Sequence, residues 1–133
     1  MLRSLGQAKF EDVVGTAVVQ GPHGPRLASL TLDSKQKTNL ASTDFLHRVE
    51  ISANGLEEAD QSLQAAARRS HHDIQGWVDL NWTLEHAPET PLSARFLVTQ
   101  PAEKPFDMLL GKHGIEMHRR ILQSSGSFVR GRP

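Results

Sequence analysis

The side chain with the clearest chemical potential is the carboxylate of Asp33. It follows an apolar segment, residues 27–32, and precedes the hydroxyl of Ser34 and a polar turn that runs to Asn39. A carboxylate held at the end of a buried strand can act as a general acid or base. The same pair of residues also fits an ordinary turn, because both side chains can hydrogen-bond to neighbouring backbone. The pair alone leaves both interpretations open.

The remaining candidates for chemistry are weaker. The chain has no cysteine, which excludes disulfides, thiol nucleophiles and cysteine zinc sites. Four of its seven histidines form two loose groups, His71-His72-Asp73 and His113 with His118, and neither group has the four-residue spacing of a zinc protease helix. No glycine-rich phosphate loop occurs. We therefore expect neither a metal nor a cofactor.

Length and charge narrow the function classes further. The 133 residues suit one domain, and 15 basic side chains balance 15 acidic ones. A net charge of zero argues against a protein that binds nucleic acid, because such proteins usually carry a basic excess. No stretch approaches the roughly 18 apolar residues that span a bilayer. We expect no membrane or nucleic-acid partner and an intracellular, cytoplasmic location.

The turn from Asp33 to Asn39 is called the acidic turn below, after Asp33. Two short strands and a helix must position it. Residues 13–20 and 27–32 are rich in β-branched and alternating apolar side chains, and a Gly-Pro cluster at 21–25 separates them, which predicts a β-hairpin. After the polar turn, Ser42 or Thr43 can cap a helix that runs to Arg48.

Further along the chain, short strands outnumber helices. Residues 76–82 alternate so that Val78, Leu80 and Trp82 share one face, and 94–99 predict a second strand, with Pro88 and Pro91 in a loose loop between the two.

Strong helix formers predict one amphipathic helix over residues 56–69, and the pattern of residues 115–122 also predicts a helix. A short apolar run at 106–111 ends in glycine. The pattern indicates a mainly β protein. The expected core is Val14, Val18, Leu30, Leu32, Leu40, Val78, Leu80, Trp82, Phe96, Val98, Leu109 and Leu110.

The order of these weak motifs resembles one family. Residues 32–42, with the hairpin before them and the run ending in Gly111 after them, are similar to the active-site segment of retroviral-type (retropepsin-like) aspartic peptidases of the kind found in fungal and retroelement proteins. The resemblance implies a small closed β-barrel of the acid-protease type with one or two short helices. It also implies an N-terminal extension at 1–12, the barrel domain at 13–122 and a flexible tail at 123–133.

The resemblance also implies roles for individual residues. Asp33 and Ser34 would be catalytic, and Lys35, Ile74 and Leu109 would contact a peptide or protein substrate in a homodimer. Two departures stand out: Lys35 replaces the family's glycine, and the segment between Ile51 and Trp77, where a glycine-bearing flap should lie, has a helical pattern.

Three hypotheses remain open at this point. The first is an aspartic endopeptidase in which two copies each contribute Asp33. The second is a catalytically inactive peptide-binding or dimerisation module of the same fold. The third is an unrelated small β interaction domain.

Overall fold

The computed structural model describes residues 13–100, 106–123 and 129–130. Its elements are, in chain order, β1 (Val13–Gly21), β2 (Gly24–Leu32), β3 (Leu40–Ser42), α1 (Thr43–Arg48), a 3₁₀ helix (Leu56–Glu58), α2 (Gln61–Arg69), β4 (Ile74–Leu84), β5 (Ala87–Thr99), β6 (Met108–Leu110), α3 (Lys112–Met117), α4 (Arg119–Gln123) and β7 (Val129–Arg130).

Six strands close into a barrel. Their order is β2-β6-β3-β5-β4-β1, and β1 pairs back onto β2, which closes the ring. The strand β7 pairs with the start of β1, so two residues of the expected tail join the sheet. The mainly β, closed-barrel architecture that the sequence predicts is confirmed. The domain boundaries stay a prediction.

The main core fills the barrel. Its largest fully buried side chains include Trp82, Phe45 and Phe96. α1 contributes Phe45, and it begins as expected, because the Ser42 hydroxyl accepts a hydrogen bond from the Phe45 amide at 3.2 Å. Val78, Leu80 and Trp82 are buried together on β4, as their alternation predicts.

The prediction that Val14 and Val18 lie on the inner face of β1 was wrong. Val14 is 39% exposed and Val18 is half-buried, whereas Ala17 and Val19 are fully buried. Each face of β1 carries valines, so apolar content does not distinguish the two faces. Thr16 lies on the outer face with Val14 and Val18, and this polar residue was the signal that would have found the correct one.

Two other local predictions need correction. The helix expected over 56–69 is divided into the 3₁₀ helix and α2, because Ala59 is extended and the Asp60 carboxylate caps α2 by accepting from the Leu63 amide at 2.8 Å. Pro88 and Pro91 lie within β5, whereas a loop was expected. Leu84 pairs with Ala87 and Trp82 with Leu92, so residues 88–91 bulge out of the ladder, where prolines are tolerated.

The C-terminal helical segment is longer than expected and is also divided. α3 begins at Lys112, three residues before the predicted start, and α4 follows after His118. None of the helices in the described ranges has the length and apolarity that crossing a bilayer requires.

Candidate functional site

Asp33 lies in a turn held by backbone bonds. Its amide donates to the Leu110 carbonyl at 3.1 Å, because β2 runs parallel to β6 and both strands end here. Its own carbonyl accepts from the Gln36 amide at 3.2 Å. The Oδ1 atom of the carboxylate accepts from the Lys35 amide at 3.0 Å. The half-buried Asp33 side chain is therefore oriented by its own turn.

Asn39 fixes this turn to the far end of the chain. Its Oδ1 accepts from the Gly111 amide at 3.0 Å, and its Nδ2 donates to the Arg95 carbonyl at 3.1 Å. Gly111 has no room for a side chain, since a Cβ there would lie 2.5 Å from the carbonyl oxygen of Thr38. Asn39 was not among the residues predicted from the sequence. An amide at the last position of a polar turn was the available signal, because Asn commonly bonds to loop backbone.

Lys35, which the resemblance aligns with the family's glycine, has no positive φ angle. Among the described residues, Glu50 is the non-glycine residue with a positive φ, at 61°. The freedom of glycine in the left-handed region is therefore not needed at position 35. Lys35 is exposed, and with Lys37 and Arg69 it lines a cavity of about 170 Å³ between the turn and the end of α2.

A second apolar group lies beside the acidic turn. Leu40, Leu97 and Leu109, here called the leucine cluster, are all at least 94% buried on the face of β3, β5 and β6 that points away from the main core. Leu109 pairs with Thr31, two residues before Asp33.

α2 covers the leucine cluster. Leu63, Ala66 and Ala67 of this helix pack on it, together with Ile74 at the start of β4. Residues 51–73 are all described, and they form the 3₁₀ helix, α2 and one backbone bridge from Asn54 to Trp77, with no β-hairpin flap. The helical pattern predicted in this segment is therefore a real helix, which packs on the leucine cluster.

The five residues singled out from the sequence thus lie in one region. Asp33, Ser34 and Lys35 form the turn, and Leu109 and Ile74 meet in the leucine cluster under α2. Ile74 also lines a larger cavity of about 380 Å³ with residues of the 3₁₀ helix and α2.

The histidines gather no metal site within residues 13–100, 106–123 and 129–130, where no three His, Asp or Glu side chains converge. His118 packs edge-to-face on Trp82, with ring centroids 5.8 Å apart. Burial lowers the pKa of His118 below its ordinary value of 6.5, and a backbone hydrogen bond at Ser93 opposes this in part. This half-buried histidine packs on Trp82 of the main core.

Neither a protein-family profile nor a curated protein sequence matches this chain. Among solved structures, the crystal structure of the retroviral protease-like domain of Ddi1 from Leishmania major is similar, with a TM-score of 0.54 over 82% of this chain and 76% of that one. The fold is retropepsin-like. At 14% identity the similarity concerns the fold alone. The retropepsin-like fold is the one that the first two hypotheses require.

Proposed function

We propose that this chain is a retropepsin-like aspartic endopeptidase domain that acts as a homodimer. The observation that supports this most is the acidic turn, where Asp33 closes β2 of a retropepsin-like barrel and its carboxylate is oriented by the Lys35 amide at 3.0 Å. A single carboxylate does not complete the chemistry of this class, so a second copy must supply the other Asp33 across a two-fold axis.

The proposed reaction is hydrolysis of a peptide bond by an activated water. Two carboxylates roughly 3 Å apart share one proton, because both cannot ionise cheaply. The ionised Asp33 removes a proton from water, which attacks the peptide carbonyl carbon, while the protonated Asp33 donates to the carbonyl oxygen. Transfer of a proton to the amide nitrogen then lets the C–N bond break, releasing a carboxylic acid and an amine. Ser34 would hydrogen-bond across the dimer.

A second candidate is an inactive peptide-binding or dimerisation module of the same fold. Two observations favour it. Lys35 lies two residues after Asp33 in the sequence, and α2 packs on the leucine cluster, which includes the proposed substrate contact Leu109. An ammonium near paired carboxylates favours their ionised form and removes the general acid. Such a module would still bind extended peptides by strand addition.

Peptide cleavage between pH 4 and 7, with and without pepstatin, tests the proposal. We expect pepstatin-sensitive cleavage by the wild type and none by Asp33→Asn. Asp44→Asn is the control, because it makes the same change at an exposed carboxylate on α1, and its cleavage should be unchanged. Lys35→Gly should raise activity. Cleavage by Lys35→Gly but not by the wild type would identify the inactive module, and cleavage by neither would refute the peptidase.

A mixing experiment tests whether two copies share one site. Equal amounts of wild type and Asp33→Asn, allowed to exchange subunits, leave about one quarter of the dimers with both carboxylates. Activity should therefore fall to about one quarter of that of the same total of wild type, whereas independent subunits would retain about one half. A monomer in sedimentation at micromolar concentration would contradict the shared site in that state.

A further inference from the structure

A small cavity with a basic lining lies between the acidic turn and the end of α2. It holds about 170 Å³, below the range of roughly 300–1,000 Å³ that is typical of pockets for drug-sized ligands. One liquid water occupies about 30 Å³, so the space fits a charged group and part of its stem. The polar side chains that line this basic cavity are Lys35, Gln36, Lys37, Thr38, Arg69, Ser70 and His71.

The lining carries one sign of charge. Two lysines come from the turn and one arginine from the last turn of α2, and no carboxylate is among the lining residues. Within the part of the chain that the structure describes, neither Lys37 nor Arg69 forms an ion pair. The hydroxyls of Thr38 and Ser70 add donors that suit an oxyanion. By contrast, the larger cavity next to Ile74 combines Arg68 with Glu57 and Asp73.

The position of the basic cavity decides what kind of anion it would take. Lys35 and Lys37 belong to the same turn as Asp33, and Lys35 donates its amide to that carboxylate. A peptide that crosses the acidic turn would therefore lie close to residues that line the basic cavity. An arginine fork and lysine point charges both suit a carboxylate.

We propose that the basic cavity binds an acidic side chain, Asp or Glu, of a peptide lying across the acidic turn. This proposal rests on one part of the proposed function, namely that the site binds extended peptides. It specifies the substrate class as peptides with an acidic residue close to the peptide bond that lies at Asp33. Cleavage itself is not required for this binding.

Fluorescence anisotropy of the full chain carrying Asp33→Asn measures the binding without turnover. The probes are two fluorescein-labelled peptides that are identical except for a central Glu or Gln. An exposed ion pair contributes up to about 1 kcal/mol, so we expect the Glu peptide to bind up to about fivefold more tightly at low salt. The preference should shrink near physiological salt, where exposed charges are screened.

Paired variants show whether the preference comes from this cavity. Lys37→Gln combined with Arg69→Gln should bring the Glu-to-Gln preference close to one, and both side chains are exposed, so the barrel should stay folded. Arg69→Gln alone should reduce the preference, and Arg68→Gln is its matched control. Each of these two variants removes one charge from α2, but Arg68 lines the other cavity. The control should keep the preference.

Several results would overturn the proposal. Equal binding of the two peptides, or no binding of either, removes the acidic preference. An equal loss with Arg68→Gln and Arg69→Gln would indicate general attraction and not a site. If inorganic phosphate binds in a manner that depends on Lys37 and Arg69 while the Glu peptide does not, the cavity takes a free oxyanion. Absence of cleavage by the wild type with the preference intact would refute the peptidase alone.

Discussion

Replacing Trp82 by alanine is the most direct test of the barrel core. Trp82 is 1% exposed near the C-terminal end of β4, and its ring meets His118 edge-to-face. Truncating a buried tryptophan costs about 3–5 kcal/mol of unfolding free energy, of which the aromatic pair accounts for about 0.5–1.5. The Trp82 Nε1 has no partner among the described residues, and removing a buried unpaired donor offsets part of the loss. We therefore expect about 3 kcal/mol.

Urea titration followed by circular dichroism measures this cost. A small domain has a stability of about 5–15 kcal/mol, so the variant should remain folded in water. Trp77→Ala is the control: Trp77 is half-buried with Arg95 at 4.3 Å above its ring, and its removal should cost less, about 1–2 kcal/mol.

A second readout of Trp82→Ala is the titration of His118. The cavity left by the indole exposes the imidazole to water, so the lowered pKa of His118 should rise towards 6.5, which NMR can follow. A cost below about 1 kcal/mol, or an unchanged pKa of His118, would refute the burial of Trp82 against this histidine.

Three further predictions follow from other sites. Gly111→Ala should cost about 1–3 kcal/mol of unfolding free energy, because the new Cβ would meet the Thr38 carbonyl. Gly55→Ala is the control. Its Cβ would meet the flexible end of the Glu57 side chain, so it should cost much less in the same urea titration. Asp60→Ala should lose about 0.5–2 kcal/mol through the cap of α2, and an unchanged midpoint would argue against that cap. The lowered pKa of His118 means that the unfolded chain binds its proton more readily. The stability that the neutral His118 side chain contributes is therefore complete above about pH 6.5, and it falls as the pH drops towards the pKa of the folded state. In His118→Gln the urea midpoint should therefore depend less on pH.

Local patterns predicted the elements that carry their own signal. The hairpin of β1 and β2 follows from the Gly-Pro turn between two apolar runs, and α1 begins where Ser42 can cap it. The buried face of β4 follows from strict alternation around Trp82. On β1 both faces carry valine, so apolar content alone did not identify the buried face, and the polar Thr16 was a sequence signal of the outer face.

In the candidate site, too, some residues could be recognised from the local sequence and others could not. The acidic turn was recognisable because Asp33, Ser34 and the preceding strand are contiguous. Asn39 was not, because its role depends on Gly111, which is 72 residues away.

By itself the sequence determined the short strands, the capped helix and the position of the acidic turn, because each depends on residues within one or two turns of chain. Only the tertiary structure decided that the barrel closes through β1 and β2, that α2 covers the leucine cluster, and that Arg69 shares a cavity with Lys37. These contacts join segments that are far apart in the chain. Their free energy comes from surfaces buried between elements, and a periodic pattern shows which face of an element is apolar but not which partner covers it.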